Sequence, residues 1–145
     1  MTLLKADFHC HVLPGMDDGA ADCDVSRGML AALKAQGIEQ VLATPHFYSH
    51  REPLEVFLAR RGRSSSALCA AQGGEGALPV RLGAEVRVER GVSGLAGLDR
   101  LSWGDRRCLL LELPYAGYKG WMAEEIYNVA FRWAIVPVIA HVERC

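Results

Sequence analysis

Five apolar runs of strand length alternate along this chain with segments of helical period, and that alternation leaves few folds open. The runs are "LLKADFH" (residues 3–9), "QVLAT" (40–44), "PVRLGAE" (79–85), "CLLLEL" (108–113) and "VPVIAH" (136–141). Between the first two, Val25, Met29, Leu30 and Leu33 recur at helical spacing, with Asp22 or Asp24 as N-cap and Gly37 as the stop. Residues 53–72 carry Leu54, Phe57, Leu58 and Leu68 on one side, although Gly62 and the serines at 64–66 weaken the centre. Residues 121–134 place Met122, Ile126, Val129 and Trp133 together, and "QGGEGA" (72–77) reads as a loop. Strands alternating with helices predict an α/β fold with a mainly parallel sheet. At 145 residues, one domain spanning 1–145 is expected.

Composition excludes several classes. Half of the residues are apolar, 23% are charged and the formal net charge is -1, which makes no electrostatic case for nucleic acid. The first residues lack the features of a signal peptide and no apolar run reaches transmembrane length, so neither export nor membrane insertion is expected and the cytoplasm is the default. The five cysteines (Cys10, Cys23, Cys69, Cys108, Cys145) are irregularly spaced without a C-x-x-C pair, and read as free thiols. None is followed six positions later by the arginine of a phosphate-cradling cysteine loop. Neither a G-x-x-x-x-G-K-[ST] loop nor a G-x-S-x-G elbow occurs.

The polar residues fall in a pattern. His9 and His11 close the first predicted strand, His46 follows the second, Glu85 ends the third, Glu112 lies near the end of the fourth and His141 ends the fifth. In α/β barrels the site is built at the carboxyl ends of the strands, where side chains distant in sequence converge. Imidazoles and carboxylates meeting there suit Mn, Fe or Zn better than a lone magnesium. Each residue has an ordinary alternative. His9 and His11 could share a solvent face, Asp17 and Asp18 could belong to a turn around Gly15 and Gly19, and His46 could be a turn residue. Glu85 and Glu112 could pair with Arg87 and Arg107, His141 could be a satisfied core histidine, and Glu143 with Arg144 a surface pair. His50 reads as a surface residue or a contact on the substrate side. A separate explanation for every strand end accounts poorly for the pattern as a whole.

Taken together, "DFHCHVLPGMDDGA", "LATPH", "GAE", "LLLELP" and "VIAHVER" resemble the polymerase and histidinol phosphatase (PHP) superfamily, and within it the bacterial manganese-dependent tyrosine phosphatases encoded with capsular and exopolysaccharide synthesis genes. The motifs run in family order over nearly the whole chain. The resemblance implies a distorted (β/α)7 barrel holding up to three metals, Mn2+ by preference, with Fe or Zn as alternatives. His9, His11 and Glu85 would hold one, Glu85, Glu112 and His141 a second, and Asp18, in preference to Asp17, with His46 a third. Arg144 would bind the phosphate, and Arg144, Asp18 and Glu112 are the implied catalytic residues. The implied partner is a phosphotyrosine protein, an autophosphorylated kinase that governs polysaccharide export. A small-molecule phosphatase of the histidinol phosphate type and a non-catalytic binding module are the alternatives.

Two departures qualify the resemblance. Val142 stands where the family commonly has proline, a change expected to be mild. The sequence stops at Cys145, ahead of the family's late S-D-x-H segment. The expectation is therefore an incomplete barrel of about five strand-helix units, whose open edges favour self-association. Fewer metals and reduced activity would accompany it.

Overall fold

The described residues of the computed structural model are 5–74 and 76–144. Leu3 and Leu4 of the first expected strand, Glu75 of the 72–77 loop and the Cys145 thiol lie outside them. In chain order the elements are β1 (Ala6–Cys10), α1 (Cys23–Ala35), β2 (Gln40–Ala43), β3 (His46–Phe47), α2 (Leu54–Gln72), β4 (Val80–Leu82), β5 (Glu85–Arg87), β6 (Cys108–Glu112), α3 (Gly120–Trp133) and β7 (Val136–Ala140). They divide between two compact units, Met1–Pro45 with Glu55–Leu82, and His46–Leu54 with Gly83–Cys145.

The first unit contains a parallel sheet in the order β1-β2-β4. Beyond β1 the pairing is locked from both sides: Cys10 N–H donates to Thr44 Oγ1 at 3.0 Å and Thr44 N–H donates to the Cys10 carbonyl at 2.9 Å. Val41, Leu42 and Ala43 are buried, as are Leu30, Phe57 and Leu68 from the helices. Helix α1 starts where the sequence predicts, because the Asp22 carboxylate accepts from Val25 N–H at 2.9 Å. It ends at Gln36, and Gly37 follows at φ 86°, a conformation that suits glycine. The expected weakness in α2 does not interrupt it. Ser66 Oγ donates to the Gly62 carbonyl within the helix, and Ser64 Oγ and Arg60 Nη1 reach the carbonyls of Pro14 and Met16. Tertiary anchoring outweighs the unfavourable local propensity.

The second unit is a parallel sheet in the order β3-β5-β6-β7. One run read as a single strand is divided, and a short strand not read from the sequence follows another. "PVRLGAE" breaks at Gly83 and Ala84: Val80–Leu82 pairs with β2, whereas Glu85–Arg87 pairs with β3 and β6. Glu85 therefore opens a strand instead of closing one. After β2, Pro45 has no N–H to continue a ladder, and the chain resumes at His46 as β3. Between β5 and β6 two 3-10 turns, Val92–Gly94 and Leu98–Leu101, bury Val92, Leu98 and Leu101. Helix α3 holds this segment. The Glu125 carboxylate accepts from the N–H groups of Gly91 (2.7 Å) and Ser93 (3.0 Å), and Trp133 Nε1 donates to the Ser93 carbonyl (2.9 Å).

Among the described residues no helix is long and apolar enough to cross a membrane. Replacing Asp22 by Ala removes the cap of α1 and should cost about 0.5–2 kcal/mol. Urea unfolding checks this: the midpoint should fall while the slope stays constant.

Candidate metal centre

In the first unit, β1 ends so that His9 and His11, two residues apart on extended chain, present their rings to the same side. Their Nε2 atoms lie 3.3 Å apart. His11 Nδ1 is 2.8 Å from Asp17 Oδ2, while Asp17 Oδ1 accepts from Gly19 N–H at 3.0 Å. A carboxylate on Nδ1 keeps the proton there and leaves Nε2 with its lone pair, the form a metal ligand requires. The turn that delivers Asp17 is tight: Gly15 sits at φ 64°, and Ala20 N–H donates to the His11 carbonyl at 3.0 Å. A Cβ on Gly19 would overlap the carbonyl oxygen and Cβ of His11, so only glycine fits. Asp17 is mostly buried, with 7% of its side chain exposed, and Asp18 is exposed. Cys10, between the two histidines, has its thiol pushed up to about 11 by burial and secondarily by Asp7, so it stays protonated at neutral pH.

In the second unit, two carboxylates are buried at the strand ends. Glu85 has no exposed surface and Glu112 has 5%. His46 Nδ1 lies 3.3 Å from Glu85 Oε2 and 3.8 Å from Glu112 Oε2, and His141 Nε2 lies 3.1 Å from Glu85 Oε1. The strands impose this arrangement, since His46 is in register with Glu85 and Arg87 with Glu112. His141 follows β7 directly at φ 53°, an uncommon conformation for a residue with a Cβ and one associated with functional sites. The expected arginine partners point elsewhere: Arg107 Nη2 pairs with Asp99 at 3.2 Å and Arg87 lies over the Tyr48 ring.

These residues fit a metal. His46, Glu85 and Glu112 each offer one ligand atom, all within 4.8 Å of one another, a spacing that ligand distances of about 2.0–2.2 Å can span. Among the described residues Glu112 Oε2 is buried without a hydrogen-bond partner. An ionised carboxylate in that state is costly, and a bound cation is the direct remedy. The oxygen and imidazole donors suit a divalent ion of borderline character.

Arg144 ends the 3-10 turn Val142–Arg144, its guanidinium 5.1 Å over the Tyr115 ring and Nη1 donating to the Tyr115 hydroxyl. Its Nε is also 3.8 Å from Glu143 Oε1, so the surface pair read from the sequence is present as well. Val142 is 68% exposed, where the exchange for proline disturbs little packing. His50, left between two readings, has its Nδ1 on the Glu89 carboxylate. Sequence reasoning missed the hold of Asp17 on His11, and missed Tyr48 and Tyr115 beside the arginines. The spacing of Asp17 six residues after His11, within a glycine turn, was the available signal for the first.

Of the expected ligands, His9, His11 and Asp18 belong to the first unit, and His46, Glu85, Glu112 and His141, with Arg144, to the second. The strand-end imidazoles and carboxylates on parallel sheets define the class: α/β proteins with residues suited to binding metal. Residues 5–145 match the family "Capsular polysaccharide synthesis, CpsB/CapC", and the chain belongs to that family. It is 34% identical over 142 residues to the tyrosine-protein phosphatase YwqE of Bacillus subtilis, an alignment covering 95% of this chain and 54% of the relative. A solved chain from work on YwqE of Bacillus subtilis and CpsB of Streptococcus pneumoniae, described as metal-dependent tyrosine phosphatases, matches with a TM-score of 0.76 and 32% identity. That match covers 96% of this chain and 56% of the other. The chain thus spans about half the length of the relatives it matches.

Metal should stabilise the folded protein. At Mn2+ about a hundredfold above its Kd the gain should be about 2.7 kcal/mol, removed by chelator. Glu85→Gln should lose most of the rise in Tm. A full rise in the variant would show that Glu85 is not a ligand.

Proposed function

We propose that the protein is a metal-dependent protein-tyrosine phosphatase acting in the cytoplasm on an autophosphorylated tyrosine kinase that controls capsular or exopolysaccharide synthesis. The observation that carries the reading is the pair of buried carboxylates, Glu85 and Glu112, answered by His46 and His141 at parallel strand ends. The names of its relatives favour phosphotyrosine over a small-molecule phosphoester. The family resemblance supports a PHP-type distorted (β/α)7 barrel to which residues 1–145 contribute as parts of one domain.

In this reading His9, His11 and Glu85 would hold one metal, Glu85, Glu112 and His141 a second, and Asp18 with His46 a third, with Mn2+ as the proposed ion. When bound, the metals supply Lewis acidity toward the phosphoryl oxygens and the attacking water. The chain's own residues do the rest. Glu85 would contribute to two sites at once, so its loss would weaken both. Asp17 holds the Nδ1 proton of His11 and so keeps Nε2 available. Arg144 turns its fork of N–H groups from the Tyr115 hydroxyl to the phosphoryl oxygens, and its fixed charge offsets the negative charge that develops there. No cysteinyl intermediate is required, in keeping with the protonated Cys10.

The test compares turnover of a phosphotyrosine peptide and histidinol phosphate with Mn2+ and with chelator. Chelation should abolish peptide turnover and thiol alkylation should leave it. Activity that survives chelation, or that alkylation alone removes, contradicts the mechanism. Arg144→Ala should lower kcat/KM by about 10²–10³ with metal content unchanged, measured by metal analysis of the same preparation.

A further inference from the structure

A pair of arginines in the second unit is not accounted for by the chemistry above. Arg51 lies with its guanidinium 4.4 Å from the centre of the Tyr48 ring, and Arg87 lies 5.7 Å from the same centre. Neither makes an ion pair with a carboxylate among the described residues. One acid beside this segment, Glu89, is engaged with the turn: its Oε2 accepts from Ser49 Oγ at 2.7 Å and from His50 N–H at 3.3 Å, and its Oε1 meets His50 Nδ1. Two guanidinium groups are therefore held around one ring, and among the described residues neither is ion-paired to a carboxylate.

Their placement relates them to the metal ligands. Tyr48 stacks on His46, with ring centroids 5.4 Å apart and planes 24° from parallel. Arg87 is two residues after Glu85 on β5, hence on the same face of the strand, and is in register with Glu112. A guanidinium stacked on an aromatic ring keeps its N–H edge free and loses less freedom when it binds an anion, particularly a planar carboxylate or a phosphate. Like charges collected beside a cation site repel unless an anion joins them.

We propose that Arg51 and Arg87, clamped on Tyr48, form an anion subsite that receives a negatively charged group flanking the target phosphotyrosine, either an acidic side chain or a second phosphate on the same polypeptide. This rests on the phosphotyrosine reading of the neighbouring site. A group on the Arg51 edge lies on the order of 10 Å from the His46 ring, within the reach of about three residues of extended chain. The subsite therefore reads positions close to the scissile phosphotyrosine.

The experiment measures binding separately from turnover. Fluorescent peptides carrying a non-hydrolysable phosphonate analogue of phosphotyrosine, flanked by Glu, by a second phosphotyrosine analogue, by Gln or by Lys, are titrated against the Mn2+-loaded protein by anisotropy. The corresponding phosphopeptides are assayed for hydrolysis. Wild type should prefer at least one of the anionic flanks over Gln by about five- to tenfold, the range for two exposed charge pairs. In R51Q/R87Q that ratio should fall to about one. In R51E/R87E it should invert toward the Lys peptide, which loss of folding cannot mimic. Preference for the Glu peptide identifies a carboxylate ligand, and preference for the doubly phosphorylated one alone identifies phosphate. A wild-type protein indifferent to the flank, or a ratio unchanged in R51Q/R87Q, overturns the subsite even where hydrolysis is normal. Flank preference that tracks these arginines while no phosphopeptide is hydrolysed upholds the subsite and removes the proposed reaction.

Discussion

Glu85 is a carboxylate with no exposed surface, placed at the first residue of a strand, and most of the second unit is arranged to tolerate it. Taking a charged carboxylate out of water costs several kcal/mol unless partners replace the lost hydration. Those partners come from two other strand ends, His46 through the β3 pairing and His141 immediately after β7. Glu112, at the end of β6, brings a second buried carboxylate within 3.8 Å of His46 Nδ1, and this donor set suits a cation. The left-handed backbone at His141 is the local strain that this arrangement carries.

The first unit meets a different demand, the orientation of an imidazole. The turn after His11 fixes its tautomer and ring position through Asp17. That turn closes on the backbone of His11 so tightly that Gly19 has no room for a side chain. The adjacent thiol of Cys10 is kept inert by burial, so the imidazoles rather than the sulfur carry the reactive potential of β1. Strand pairing through Thr44 holds the end of β1 in place while the turn does its work.

Arginine appears twice in the second unit in one structural idiom, a guanidinium on a tyrosine ring: Arg144 with Tyr115, and Arg51 and Arg87 with Tyr48. Arg107, by contrast, is neutralised by Asp99 and serves the 3-10 segment before β6. Among the described residues Arg51 and Arg87 are held by a ring alone, whereas Arg144 is held by a ring and by Glu143 as well. Division of labour of this kind would let one group of residues address the phosphoryl group and another the polypeptide around it.

Much of this was legible from residues alone. The α/β class and the parallel pairing followed from short β-rich runs alternating with periodic helices, and the Asp22 cap and Gly37 stop located α1. Recurrence of an imidazole or carboxylate at every strand end identified the candidate ligands, because such groups are costly in apolar surroundings without a purpose. Periodicity could not reveal that "PVRLGAE" serves two sheets: a strand's apolar pattern is the same whichever neighbour it pairs with, and the break at Gly83 depends on which backbone offers the hydrogen bonds. Nor could it distinguish the roles of Asp17 and Asp18, adjacent and chemically identical, until the Gly15–Gly19 turn aimed one of them at His11. The fates of Arg51, Arg87 and Arg107 were undetermined for the same reason. Residue type declares a charge, but only the tertiary structure decides whether a carboxylate or a tyrosine ring stands opposite it.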